Sequence, residues 1–98
     1  MAAGYFIIRS TGVRDQQAFD EYAKLWAPIA AQYGARFIAG RGVRHETLEG
    51  EDFPRVLIVE FDSYETAVAC YNDPAYEEAV VYSRKAYERR DVVAVEGM

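Results

Sequence analysis

The sequence predicts an α+β domain in ferredoxin-like βαββαβ order, built on a four-stranded antiparallel sheet. Three observations predict it. Short runs rich in β-branched and aromatic residues alternate with stretches of helical period. Two strand–helix–strand halves follow one another without a linker or low-complexity segment, which is the split βαβ order. At 98 residues the chain is one domain, 1–98, with room for one core.

Tyr5–Ser10 reads as the first strand. Asp15 is placed to cap a helix over 16–33, where Phe19, Tyr22, Trp26, Ile29 and Tyr33 recur at steps of three and four. Pro28 inside that stretch predicts a kink, and Gly34 a left-handed stop. Arg36–Ala39 and Val43–Leu48 read as one strand, interrupted at Gly40-Arg41-Gly42 by a bulge or a close backbone approach. A turn follows over Gly50–Pro54. Arg55–Phe61 is the strongest strand. Ser63 caps a short helix to Tyr71, and Asp73-Pro74 starts another that runs to Glu88, with Asp at the N-cap and Pro in the first turn. Asp91–Glu96 closes the sheet.

The strands are apolar on both faces. Leu57, Val59 and Phe61 alternate with Val56, Ile58 and Glu60; Phe6 and Ile8 oppose Tyr5 and Ile7; Val93 and Val95 oppose Val92 and Ala94. An antiparallel sheet with helices on one side should be polar on the other. A second copy of the same sheet is the simplest cover, which gives a homodimer arranged as a dimeric α+β barrel.

Composition narrows the partners. Eleven Lys+Arg against sixteen Asp+Glu give a net charge of −5, which disfavours nucleic acid and anionic membrane surfaces. Apolar runs such as Val56–Val59 fall far short of the ~20 residues of a membrane span. The start of the chain shows no basic region followed by a long apolar stretch, and Cys70 is a lone cysteine, so the expected location is the cytoplasm. Thirteen Tyr and Phe exceed what so small a core requires, so some rings are expected in a pocket or an interface.

Several stretches together resemble the domain-of-unknown-function 1330 family, in the dimeric α+β barrel superfamily. They are Gly4-Tyr5, Asp15 with Phe19 and Tyr22, Tyr33-Gly34-Ala35-Arg36-Phe37, Leu48-Glu49-Gly50, Glu60-Phe61, Ala67, Tyr71, Asp73-Pro74-Ala75-Tyr76, Arg84 and Val95-Glu96-Gly97. Gly34-Ala35-Arg36 stands where the family usually has Gly-Gly-Arg, and Gly40-Arg41-Gly42 where it often has Arg-Gly-Gly. The resemblance implies the fold and a dimer, and no activity.

The candidate catalytic residues are Glu60, an acid on an apolar strand, and Tyr76. The candidate binding residues are Arg84, on a helix stripe with Tyr76, Val80 and Tyr87, and Tyr5. The expectation is that Glu60, Tyr76 and Arg84 meet at one pocket, with Arg84 anchoring an anion. Each has a plainer reading: a structural ion pair for Glu60, a solvated head for Arg84. No metal site is expected, since His45 has no second strong ligand near it, and no cofactor motif is present. His45 falls on a strand and Trp26 on a helix, the reverse of the arrangement that haem-degrading relatives in the superfamily use. Trp26 and Cys70 read as core, and no base or cation stands near Cys70 to make it a nucleophile. The function so predicted is a small dimeric protein acting without a cofactor on a small anionic or aromatic metabolite. The alternatives are a non-catalytic metabolite-binding module and a purely structural dimer.

Overall fold

The computed structural model describes residues 2–40 and 42–98. Its elements run β1 (Gly4–Ser10), α1 (Gln16–Tyr33), β2 (Arg36–Ala39), β3 (Arg55–Phe61), α2 (Tyr64–Tyr71), α3 (Pro74–Ala86) and β4 (Arg90–Glu96). The sheet is antiparallel throughout, in the order β2-β3-β1-β4, with β1 and β3 inside. This is the ferredoxin-like α+β fold read from the sequence.

The predicted caps form. Asp15 accepts from the Ala18 amide, Ser63 from Thr66, and Asp73 from Ala75 with Pro74 following, so each carboxylate or hydroxyl satisfies an orphan helix donor. Gly34 ends α1 at φ 67°, and the Ala35 amide reaches back to the Ala30 carbonyl. The helix runs through Pro28 unbroken. Gly4 lets α2 begin directly on β1: a Cβ there would overlap the Ser63 carbonyl and the Tyr64 Cα.

The register sorts side chains onto two faces. Phe6 opposes Val59 and Ala94, and Ile8 opposes Leu57 and Val92; these face the helices. Phe6, Ile8, Val59 and Phe61 form the core with Ile29, Ala67, Cys70, Tyr76 and Ala79 from the helices. The outer face carries Tyr5, Ile7, Val56, Ile58, Glu60, Val93 and Val95. Among the described residues no helix covers it, and Val93 is 57% exposed and Val95 42%.

Four boundaries differ from the sequence reading, the smallest being β1, which opens one residue early, at Gly4. Val43–Leu48 is not a strand. The ladder between β2 and β3 shifts register between Phe37 and Ala39, and the chain then leaves the sheet at Gly40, φ 92°, where a Cβ would collide with the Val56 carbonyl. Gly42 is also at positive φ, 90°, while Arg41 lies outside the described residues. Without a ladder partner, the short apolar run stays exposed at Val43 and Leu48. Its loop is closed by Thr47 donating to Asp52 at 2.6 Å, by a hydrogen bond at 3.0 Å between the His45 ring and the Phe53 carbonyl, and by Phe53 buried beneath Arg9 and Arg89. His45 thus sits in a loop and not on a strand. Finally, α3 stops at Ala86 because Tyr87 turns extended to bridge Val13, and β4 opens one residue early, at Arg90.

Candidate functional site

α1 packs on α3 and stands away from the sheet along part of its length. The reason is local. Beside the predicted aromatic stripe runs a second stripe of small residues, Ala23, Ala27 and Ala30, on the face toward β3. Methyl groups there cannot fill the gap, and a cavity of about 330 Å³ remains. Its walls are Trp26, Phe37, Leu57 and Val59, with Phe19, Tyr22, Tyr76, Tyr87, Arg55 and Arg90 at the polar end.

That polar end is a hydrogen-bonded triangle. The hydroxyls of Tyr22 and Tyr76 lie 2.8 Å apart. Arg90 donates from Nη1 to Tyr76 at 3.2 Å and from Nη2 to Tyr22 at 3.0 Å. It also lies over the Tyr22 ring, 5.2 Å from the centroid. Burial pushes the Tyr22 phenol far above its ordinary range, against the opposing pull of Arg90. Burial works against the charge on Arg90, and the phenol oxygens of Tyr22 and Tyr76 outweigh it, so the guanidinium stays charged. Across the sheet, Arg55 lies 5.4 Å over the Tyr87 ring and 5.6 Å over Phe19. Its Nε is buried and has no hydrogen-bond acceptor. Among the described residues neither Arg55 nor Arg90 forms an ion pair with a carboxylate.

The four sequence candidates part company here. Tyr76 is in the cavity wall, 2% exposed, joined to Tyr22 and Arg90. Glu60 is on the opposite face of the sheet. It accepts from Arg36 Nε at 3.1 Å and from the Tyr5 hydroxyl at 3.4 Å, and Arg36 also reaches Asp62 at 3.2 Å. Tyr5 therefore belongs to this outer network and not to the cavity. Arg84 is exposed. It borders an open groove along β4 with Tyr71, Val80, Arg90 and Asp91, and its carbonyl accepts from Arg14 at 3.3 Å. The expected meeting of Glu60, Tyr76 and Arg84 does not occur, because strand alternation puts residue 60 on the face away from the helices. The cation beside Tyr76 is Arg90. Sequence reasoning missed it by starting the last strand at Asp91, which left Arg90 in a turn. A strand beginning one residue earlier would have placed Arg90 on the same face as Val92 and Ala94.

Elsewhere, burial pushes the Cys70 thiol up to about 12, so it is a neutral core group at pH 7. Among the described residues no His, Cys, Asp and Glu cluster is placed to hold a metal ion, and no helix is long and apolar enough to cross a membrane.

Fold and site together define a small ferredoxin-like protein with a ligand-sized cavity between sheet and helices. The chain belongs to the domain-of-unknown-function 1330 family, whose model matches residues 3–98. Its solved neighbours share the fold at low identity. A protein of unknown function from Rhodopseudomonas palustris is 19% identical over 99% of this chain and 83% of its own, with a TM-score of 0.74. A dimeric protein of unknown function and ferredoxin-like fold from Bacteroides fragilis is 17% identical over 96% of this chain and 95% of its own, with a TM-score of 0.59. A putative antibiotic biosynthesis monooxygenase from Nitrosomonas europaea is 17% identical over 99% and 90%, with a TM-score of 0.57. Among curated proteins no sequence matches this chain.

Proposed function

We propose that this chain is a homodimer in which each subunit holds a small, apolar-bodied anionic metabolite in the cavity between α1 and β3. The observation that carries the reading is Arg90: a part-buried guanidinium whose partners in the fold are two neutral phenols, at the end of an apolar cavity. A charge so placed is costly unless something compensates it. Among the described residues no carboxylate pairs with it, and in this reading the ligand supplies one.

The reading favours binding over catalysis at this site. The cavity lining includes no Asp, Glu, His, Lys or Cys, so it holds no base of ordinary strength to take a proton from carbon. Glu60, the acid of the expected site, is on the other face. The enzymatic alternative has one observation in its favour: two phenols and a guanidinium converge as donors, the arrangement that stabilises a developing oxyanion. The name of the Nitrosomonas neighbour points in the same direction.

The dimer is supported by the apolar outer face and by the Bacteroides neighbour described as dimeric. Ile7, Ile58, Val93 and Val95 make the centre of the face. Arg9–Asp91 at 3.3 Å and the Tyr5–Glu60–Arg36 network flank it with polar groups, the usual arrangement of an interface core and rim.

A thermal-shift panel of small anionic, neutral and cationic compounds tests the binding reading. At ten times its Kd a ligand adds about 1.4 kcal/mol to the native state, several degrees for a domain this size. Anions should raise the melting temperature, and Arg90→Lys should erase the rise, because an ammonium cannot hold two oxygens in a planar fork. A panel in which cations or no compounds shift the transition would contradict it.

A further inference from the structure

We infer that the ligand is an aromatic carboxylate whose head group lies between Arg55 and Arg90, and that Arg55 is its second binding residue. The inference rests on the reading of the cavity as a small-molecule site and adds the class of molecule.

A count of protons gives the first argument. The two phenol oxygens each accept one hydrogen bond from Arg90. One phenol donates to the other across the 2.8 Å contact. Two phenols carry two protons, so one proton of the triangle has no acceptor within it. Arg55 adds a buried Nε–H that also has none. The Ser10 and Tyr87 hydroxyls at the same end can accept as well as donate, and Tyr87 bonds Arg55, but the guanidiniums of Arg55 and Arg90 bring donors only, so donors remain in surplus there. A complementary head group brings acceptors and no donors, which favours a carboxylate over an alcohol or a primary amide, whose own donors find no partner there, and over a cationic amine, which brings only donors and a like charge.

Charge gives the second. Arg55 and Arg90 both lie opposite Ser10, on the two strands that flank β1, with side chains on the helix face. Two strand spacings, about 9.6 Å, separate their backbones. Their side chains close on Tyr87, which borders the cavity between them, and the charges of both act on its phenol. Two like charges on one wall of an apolar cavity repel, and one anion between them relieves both.

The walls give the third. Beyond the head group the cavity offers Trp26, Phe37, Leu57 and Val59, with the small faces of Ala23, Ala27 and Ala30. A flat ring fills the space under a row of alanines and meets aromatic edges in preferred geometry. Its volume of about 330 Å³ accommodates a one- or two-ring molecule.

The test uses the full-length chain and isothermal titration with 2-naphthoate, its neutral isosteres 2-naphthamide and 2-naphthylmethanol, and hexanoate. The expected result is that 2-naphthoate binds one per chain, about tenfold or more tighter than the amide and alcohol. It should also bind more tightly than hexanoate. Arg55→Lys, with its circular dichroism spectrum unchanged, should lose most of the preference for the anion while keeping the affinity for the neutral rings. If the amide or alcohol binds as well as the carboxylate, the assignment of the head group is overturned while the cavity remains a ligand site. Equal affinity for hexanoate overturns the aromatic body. An unchanged preference in Arg55→Lys overturns the role of Arg55. If none of the four binds, both this inference and the reading beneath it fall.

Discussion

Tyr33 and Asp73 show how a single hydrogen bond ties the helices and how it would be measured. The Tyr33 hydroxyl donates to Asp73 at 2.6 Å, from the end of α1 to the cap of α3. The Tyr33 bond, then the Ala75 amide, lower the Asp73 pKa. A carboxylate with a lowered folded pKa adds stability that is present above its unfolded pKa, 3.8, and is lost as pH falls through the folded value. Tyr33→Phe should therefore weaken the protein at pH 6 and leave it nearly unchanged well below pH 3, so the two acid-unfolding curves should converge at the acid end. Parallel curves would mean the bond is absent in solution. The same scale shows where the sequence was hard to read. Tyr76 was legible as a pocket-lining residue because it combines a helix stripe with a polar tip. Arg90 was not, because a charged residue next to Arg89 and Asp91 has the appearance of a solvated turn. Only the pairing with Ser10 reveals that it points inward.

Among the elements, those with strong local rules were the legible ones. α1 has an aspartate cap, a continuous apolar stripe and a terminal glycine, and it forms over the residues those features mark. β1 and β3 have dense β-branched runs and pair as the central strands. Val43–Leu48 has a strand's composition but no partner strand beside it, and that property is invisible in a local window. The close approach at Gly4 is a packing fact of the same kind. Gly4→Ala would push α2 away from β1, since the atoms in its way are backbone. A loss of about 1–3 kcal/mol is expected by urea denaturation. Gly12→Ala, where nothing lies within 4 Å of the new Cβ, serves as the control and should cost far less. Equal losses in the two variants would show that α2 does not sit so tightly in solution.

In the molecule as a whole, one sheet divides two tasks. Its helix side holds the cavity with Arg55 and Arg90, and its outer side carries Ile7, Ile58, Val93 and Val95, the face proposed to meet a second copy. The doubly apolar strands made the apolar outer face legible from the sequence. Placing Glu60 and Tyr76 at one site was an error of face, since alternation along β3 sends Glu60 outward to Arg36. If the outer face is the dimer interface, sedimentation equilibrium of the wild-type chain should give twice the chain mass, and Val93→Lys should give a monomer by burying an unpaired charge. A monomeric wild type would remove the partner from the account. The cavity is tested most directly by following the arginine Nε–H, tyrosine and tryptophan side-chain resonances in an NMR titration with 2-naphthoate. The account predicts shifts at Arg55, Arg90, Tyr22, Tyr76 and Trp26, with Arg36, Tyr5 and Arg84 unmoved. Shifts centred on Arg36 and Tyr5, or on Arg84, with the Arg90 signal unchanged, would contradict it.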